Sequence, residues 1–243
     1  MSAVKRIDFF DLPHGRTLAG SYTIERSLGA GWEGEVYEVI EQRTGVRRAA
    51  KLFYPHRNIN DRAARFQAKK LERLRHCSMV IQYAHTQSIR IRGHEVTCLF
   101  SELVEGELFA ELVARQPFKR MHPFEALHLL HAVVSGLEEI HDAGEYHGDL
   151  HDGNVLVARD GIFFHVKLVD FYPRGRPSAA LIRDDVVGAV RMLYDAVGGR
   201  RYYALQPPEI KAVCLGLRSD LIMRTFPNAH ALRTHLETFE WER

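Results

Sequence analysis

The hydrophobic pattern of this chain changes period once, and that switch limits its possible folds more than any single residue does. Through the first part of the chain the apolar segments are short, β-branched or aromatic, and separated by glycine: YTIERSLGAG, GEVYEVIEQRTG and RRAAKLFYP. Such segments read as strands. Thr44-Gly45 marks a hairpin turn between the second and third, and SIRIRGHEVTCLFSELV gives two more strands around Arg92-Gly93. NDRAARFQAKKLERLRH, with Phe66, Leu71 and Leu74 among charges, predicts a surface helix capped by Asn60 or Asp61. From His122 onward Leu127, Leu130, Val133, Val134, Leu137 and Ile140 recur at helical intervals, with Gly144 as the stop. Strands first and helices afterwards predict an α+β fold of two lobes. SELVEGEL, residues 101–108, is the expected joint. The expected parts are an N-terminal extension 1–20, a β-rich lobe 21–104 and a mainly helical lobe 105–243.

A chain of 243 residues, 46% of them hydrophobic, can bury one large domain or a closely joined pair of lobes. Its 33 basic and 31 acidic residues nearly cancel, to a formal net charge of +2. Nothing in that balance calls for nucleic acid or an anionic membrane as partner. Cys77, Cys98 and Cys214 lie far apart at no metal-binding spacing. A reducing compartment, and so a cytoplasmic location, is the expectation, with delivery to another cell left open. MSAVKRIDFFDLPHGRTLAG lacks the apolar core of a signal peptide. No apolar run approaches the roughly twenty residues that a membrane-spanning helix needs.

LGAGWEGEVYEV places Gly29, Gly31 and Gly34 in G-x-G-x-x-G order, with Val36 two residues on. Dinucleotide-binding turns share that spacing but open a helix, whereas strand-like sequence flanks these glycines on both sides. A glycine-rich hairpin lets the backbone close over a triphosphate that side chains would fend off. Lys51 then stands in an otherwise apolar strand among Ala49, Ala50, Leu52 and Phe53. Alone it can be an edge lysine that snorkels to water. Following a glycine hairpin, it reads better as the cation gripping the α- and β-phosphates, since an unpaired ammonium there is costly.

YHGDLHDGNVLV, residues 146–157, sets His147, Asp149, His151, Asp152 and Asn154 just ahead of an apolar run. A metal site, a polar loop and a phosphoryl-transfer loop all use such residues. His151 and Asp152 lack partners at zinc spacing and read as loop residues. The order His147, Asp149, Asn154, followed by Asp170-Phe171 in VKLVDFY, resembles the H-R-D-x-x-x-x-N loop and D-F-G segment of eukaryotic-type protein kinases. The resemblance runs from about Ser21 to the C-terminus. It implies a two-lobed protein-kinase-like fold, with a small β-rich N-lobe, a mainly helical C-lobe and an ATP site between them. It also implies that Asp149 meets the incoming hydroxyl, that Asn154 and Asp170 hold Mg²⁺, and that Lys51 grips ATP beneath Gly29, Gly31 and Gly34. Val36 and Ala49 would flank the adenine, Glu102 and Val104 would offer it backbone groups, and Ser101 would guard the rear of the pocket. His147 would be a packed scaffold residue. Asp185 would brace the catalytic loop, although it can equally cap a helix. Arg224 would be a structural arginine of the final helices.

Four departures bear on function. Gly148 replaces the arginine of H-R-D, which argues against control by activation-loop phosphorylation and makes HGDLHDGN closer to the loop of aminoglycoside and choline kinases. Tyr172 replaces the glycine of D-F-G. Only the 14 residues FYPRGRPSAALIRD separate Asp170 from Asp185, with no A-P-E equivalent to dock a peptide. Finally, the helix position that should hold the acidic partner of Lys51 is Gln67. Glu72 lies roughly 140° further around the helix and is the partner if the register differs. The resemblance implies an ATP- and Mg²⁺-dependent kinase, with a serine or threonine of a protein as acceptor and a regulatory or adaptor partner possible. Small-molecule phosphorylation and a nucleotide-binding pseudokinase scaffold are the alternatives. FKRMHPF and RGRPS are basic patches that suit solvated loops or an acidic substrate.

Overall fold

The computed structural model describes residues 6–161 and 163–239. The chain forms two compact units, one of residues up to Arg75 together with Ile81–Val104, the other of His76–Val80 together with the chain from Glu105 on.

The first unit is built on strands β1 (Thr17–Leu18), β2 (Tyr22–Ala30), β3 (Gly34–Glu41), β4 (Arg47–Phe53), β5 (Tyr83–Ile91) and β6 (His94–Glu102). They form one antiparallel sheet in the order β1-β2-β3-β4-β6-β5. The register opposes Val36 to Lys51 and Tyr37 to Ala50, then Ala49 to Ser101 and Ala50 to Phe100. Side chains alternate between faces along a strand. Tyr37, Val39, Ala50, Leu52, Cys98 and Phe100 therefore share the face that packs into the core with Ile24 and Val96. Val36, Ala49, Lys51 and Ser101 share the other. Pairing register alone thus separates the packing residues from the candidate site residues. The β5–β6 turn has both central residues, Arg92 (φ 50°) and Gly93 (φ 82°), left-handed, as a tight two-residue hairpin requires.

From residue 6 on, the segment expected as an extension is built into this unit, with Ile7, Phe10 and Leu12 buried in its core; residues 1–5 lie outside the described residues. Glu35, itself buried, is the anchor. Its carboxylate accepts from the Phe10 N–H at 2.6 Å, the Asp11 N–H at 3.1 Å, the Tyr54 hydroxyl at 3.1 Å and the Tyr37 hydroxyl. Arg92 adds bonds to the Phe9 and Phe10 carbonyls. Helix α1 (Arg62–Arg73) departs from the expected capping. Asp61 occupies the N-cap without a capping bond, because its carboxylate is committed to the Asn58 amide and the Thr97 hydroxyl. Asn58 instead accepts the Ala64 N–H at 3.1 Å.

The second unit holds a three-stranded sheet, β7 (Glu107–Leu108), β8 (Val155–Asp160) and β9 (Phe163–Leu168), in that order. Its helices are α2 (Phe109–Ala114), α3 (Pro123–Asp142), α4 (Ala179–Ala196), α5 (Gly199–Tyr202), α6 (Pro208–Cys214), α7 (Ser219–Thr225) and α8 (Ala229–Thr238). The spaced apolar residues of α3, Leu127 through Ile140, are all buried. They pack the helix against α4, α8 and β9. Gly144 (φ 70°) follows its end as expected. Among the described residues no helix is long and apolar enough to cross a membrane.

Candidate active site

In the first unit the Gly31–Gly34 turn joins β2 to β3. The Gly31 N–H donates to the Gly34 carbonyl at 2.8 Å, and the Tyr54 N–H donates to the Glu33 carbonyl at 2.8 Å. The three glycines meet different demands. Gly29 pairs with Val36 within the hairpin. A Cβ on Gly34 would stand 1.9 Å from the Leu52 carbonyl oxygen, so close approach of β4 excludes any side chain. A Cβ on Gly31 would meet nothing within 4 Å, so the protein's own packing does not demand glycine there.

Lys51 projects from β4 on the same face as Val36 and Ala49, with its side chain 12% exposed. Its Nζ lies 3.0 Å from Oε2 of Glu33, the residue before Gly34. Gln67, on the buried side of α1, donates to that same oxygen at 2.6 Å. The helix residue that meets the lysine cluster is therefore Gln67. Glu72 is exposed and pairs with Arg75 at 2.9 Å. Ser101 is buried, and its hydroxyl donates to the Glu102 carbonyl at 3.3 Å. The Glu102 N–H donates to the Gln82 carbonyl at 2.9 Å. Val104 closes this unit.

In the second unit everything converges on Asp185, buried in α4. Its carboxylate accepts from the His147 N–H at 2.7 Å and the Gly148 N–H at 2.9 Å, and His141 Nε2 lies 3.2 Å away. Ser178 caps α4 by accepting from Leu181, so Asp185 is the brace and not the helix cap. His147 is fully buried. Its Nε2 donates to the Val169 carbonyl at 2.9 Å, and its Nδ1 accepts the Asp149 N–H at 3.3 Å. Burial holds the imidazole below the usual histidine range, outweighing the nearby Asp185 charge. A neutral ring with both nitrogens engaged is scaffold.

That scaffold sets the two carboxylate positions. The Val169 N–H donates to the Asn154 carbonyl and the Tyr172 N–H to the His147 carbonyl, each at 3.0 Å. The His147 and Phe171 rings pack at a tilt with centroids 4.7 Å apart. Asp170, between these ties, has a left-handed backbone (φ 58°), uncommon outside glycine and typical of functional loops. The Asn154 amide donates to the Asp149 carbonyl at 2.8 Å, which leaves the side-chain oxygen as the atom able to accept a cation. That amide oxygen and the Asp170 carboxylate are each hard oxygens of the kind Mg²⁺ prefers. Among the described residues no three His, Cys, Asp or Glu side chains gather into a metal cage. His151 lies 3.7 Å from Asp149 and 3.8 Å from Asp152, all about half exposed.

Gly148 has a structural cause. With φ at 88°, a Cβ there would stand 2.5 Å from the Tyr172 carbonyl oxygen and 2.8 Å from the Tyr146 ring. Tyr146 in turn donates to the Gly175 carbonyl and accepts the Arg174 N–H, both at 2.8 Å. The H-G-D and D-F-Y departures are one packing solution, in which the loop and the short following segment close on each other. Arg224, expected as a structural arginine, lies exposed near the end of α7.

The protein kinase domain family matches the chain over residues 22–202. This chain belongs to the protein kinase family. The serine/threonine-protein kinase pkn2 of Myxococcus xanthus is 29% identical to this kinase over 213 residues, covering 86% of it and 24% of pkn2. The serine/threonine-protein kinase PknA of Mycobacterium tuberculosis is 28% identical over 160 residues, covering 65% of this kinase and 36% of PknA. This kinase therefore spans well under half the length of these two relatives. The solved PknI kinase domain of Mycobacterium tuberculosis shares its fold with a TM-score of 0.65 at 22% identity, over 93% of this kinase and 98% of that chain. The α+β, two-lobed kinase fold expected from the sequence is the fold the chain adopts.

Proposed function

We propose that this kinase transfers the γ-phosphoryl group of ATP, with Mg²⁺, to a serine or threonine hydroxyl of a protein. The observation that carries the reading is the interlock of the Asp149–Asn154 loop with the Asp170 segment. Buried Asp185 braces the loop, and backbone hydrogen bonds to Asn154 and His147 tie the segment to it. The relatives named as serine/threonine-protein kinases support the acceptor class.

In this reading the acceptor oxygen bonds to the γ-phosphorus as the bond to the β–γ bridging oxygen breaks and ADP leaves, with Asp149 taking or orienting the hydroxyl proton. Asn154 and Asp170 hold the metal. Bound there, Mg²⁺ would draw off charge building on the phosphate oxygens. Lys51 grips the α- and β-phosphates under the bare backbone of Gly29, Gly31 and Gly34. Val36 and Ala49 meet the adenine ring, and the backbone of Glu102 and Val104 meets its edge. Tyr146 fixes the segment after Tyr172, so that segment needs no phosphate to order it. A cytoplasmic setting belongs to the same reading, consistent with three buried free thiols.

The test is incubation with γ-labelled ATP and Mg²⁺, alone and with generic protein acceptors, beside Asp149→Ala and Asp170→Ala. Label on the kinase or an acceptor is expected, reduced about a thousandfold or more in both variants. ATP consumed without protein labelling would move the acceptor to a small molecule, the reading that Gly148 and the short segment favour. ATP bound but never turned over, with both variants equal to the parent, would make the fold a scaffold.

A further inference from the structure

The environment of Lys51 carries an inference that rests on the phosphate-gripping role just proposed. A lysine side chain only 12% exposed favours a nearby counter-charge, and at the helix position where an acidic partner was expected α1 carries the neutral amide of Gln67. A carboxylate comes from the glycine-rich turn. Glu33 Oε2 lies 3.0 Å from Lys51 Nζ and accepts the Gln67 amide at 2.6 Å, so one oxygen joins turn, strand and helix. We propose that Glu33 is a positioning residue that supplies, from the turn, a carboxylate to Lys51 where α1 presents Gln67.

The surroundings show that the turn is built to present this group. The Glu33 carbonyl accepts the Tyr54 N–H at 2.8 Å, fixing its backbone against the end of β4. The neighbouring Trp32, largely exposed, carries the Arg57 guanidinium over its ring, 3.1 Å from the centroid. Gly34 lies so close to Leu52 that no side chain could intervene. Lys51 Nζ is 5.3 Å from the Phe53 ring centroid, an apolar neighbour that does nothing to neutralise it. The Gln67 amide, by donating to Glu33, holds the carboxylate in place and does not compete for it. The consequence for nucleotide binding is direct. A carboxylate on the turn couples the position of the turn to the lysine, so loss of Glu33 would loosen both at once. A carboxylate returned at position 67 would hold the lysine again without the turn.

Two measurements test this in the full chain, with Glu33→Gln, the double variant Glu33→Gln/Gln67→Glu, and Lys51→Met as control. The first is acylation of Lys51 by acetic anhydride, followed by mass spectrometry, and it does not depend on activity. A neighbouring carboxylate favours the charged ammonium, which the reagent does not attack. Glu33→Gln is expected to speed labelling of Lys51 about tenfold, and the double variant to return it to the parent rate. Labelling unchanged in Glu33→Gln would overturn the proposal whatever the activity. The second is phosphoryl transfer, split into kcat and KM for ATP. Glu33→Gln is expected to lose about tenfold to a hundredfold in kcat/KM, with recovery in the double variant. A merely structural turn residue would give no such rescue. Full activity of Glu33→Gln beside an inactive Lys51→Met would sink the positioning role and leave the kinase reading intact. Transfer absent from the parent, with labelling still responding as expected, would sink the kinase reading and leave the ion pair standing.

Discussion

Gly148 illustrates how a residue-scale departure from a motif is forced by its neighbours. Its φ of 88° and the Tyr172 carbonyl oxygen 2.5 Å from a would-be Cβ leave room for hydrogen alone. Gly148→Ala should therefore destabilise the kinase by about 2 kcal/mol or more. In circular dichroism that would appear as a melting temperature lower by about 4–8 °C. Restoring the arginine of the common motif should be at least as damaging. Glu72 is the opposite case. Exposed and paired only with Arg75 among its described contacts, it should tolerate Glu72→Ala within about 0.5 kcal/mol and with unchanged transfer. A large loss of transfer in that variant would return it to the role of partner to Lys51.

At the scale of elements, the N-terminal strap shows a buried charge holding two segments together. Glu35 on β3 satisfies two backbone N–H groups of the strap and two phenols of the sheet. Burial, reinforced by the Glu35 charge, pushes the Tyr54 phenol up to about 12 and the Tyr37 phenol still higher, so both remain donors throughout the physiological range. Glu35→Ala would leave several buried donors without their acceptor, at a cost of about 3 kcal/mol. Hydrogen exchange should then rise first at residues 8–12, ahead of the rest of the sheet. Uniform exchange across the unit would mean that the strap is held by its apolar side chains, Ile7, Phe10 and Leu12, and not by Glu35.

For the whole molecule, pH offers a test that sums over sites. Burial lowers the histidines His147, His85 and His235 below their ordinary value. As pH falls through the unfolded value of about 6.5, the unfolded chain takes up protons that the native chain refuses. The contribution of these groups is therefore complete above that pH and erodes below it, by up to about 1.4 kcal/mol per pH unit for each fully responding site. The melting temperature should fall between pH 7.5 and 5.5. His85 stacks on Phe100 with centroids 4.5 Å apart and on Tyr22 at 6.0 Å. His85→Phe keeps the ring stack and removes the proton site, so it should flatten that decline. A decline as steep as the parent's would remove His85 from the account.

Much of this protein can be read in one dimension. Strand and helix periods, the tight Arg92-Gly93 turn, the α3 stripe and the order His147, Asp149, Asn154, Asp170 are all local patterns, because backbone geometry repeats at short range. Asp185 was legible as a brace for a different reason, standing where a known motif expects it. The Glu33 contact of Lys51 was not legible. It comes from a turn 18 residues away that lies next to the lysine only because β3 and β4 pair in one register. The diversion of Asp61 from capping by Thr97, the burial of Glu35 under the strap and the clash that requires Gly148 are likewise products of close approach between distant segments. The sequence by itself determined which elements form and which chemistry the loops can carry. Tertiary structure alone decided which charge faces which, because burial and pairing register set the neighbours of a charge and sequence distance does not.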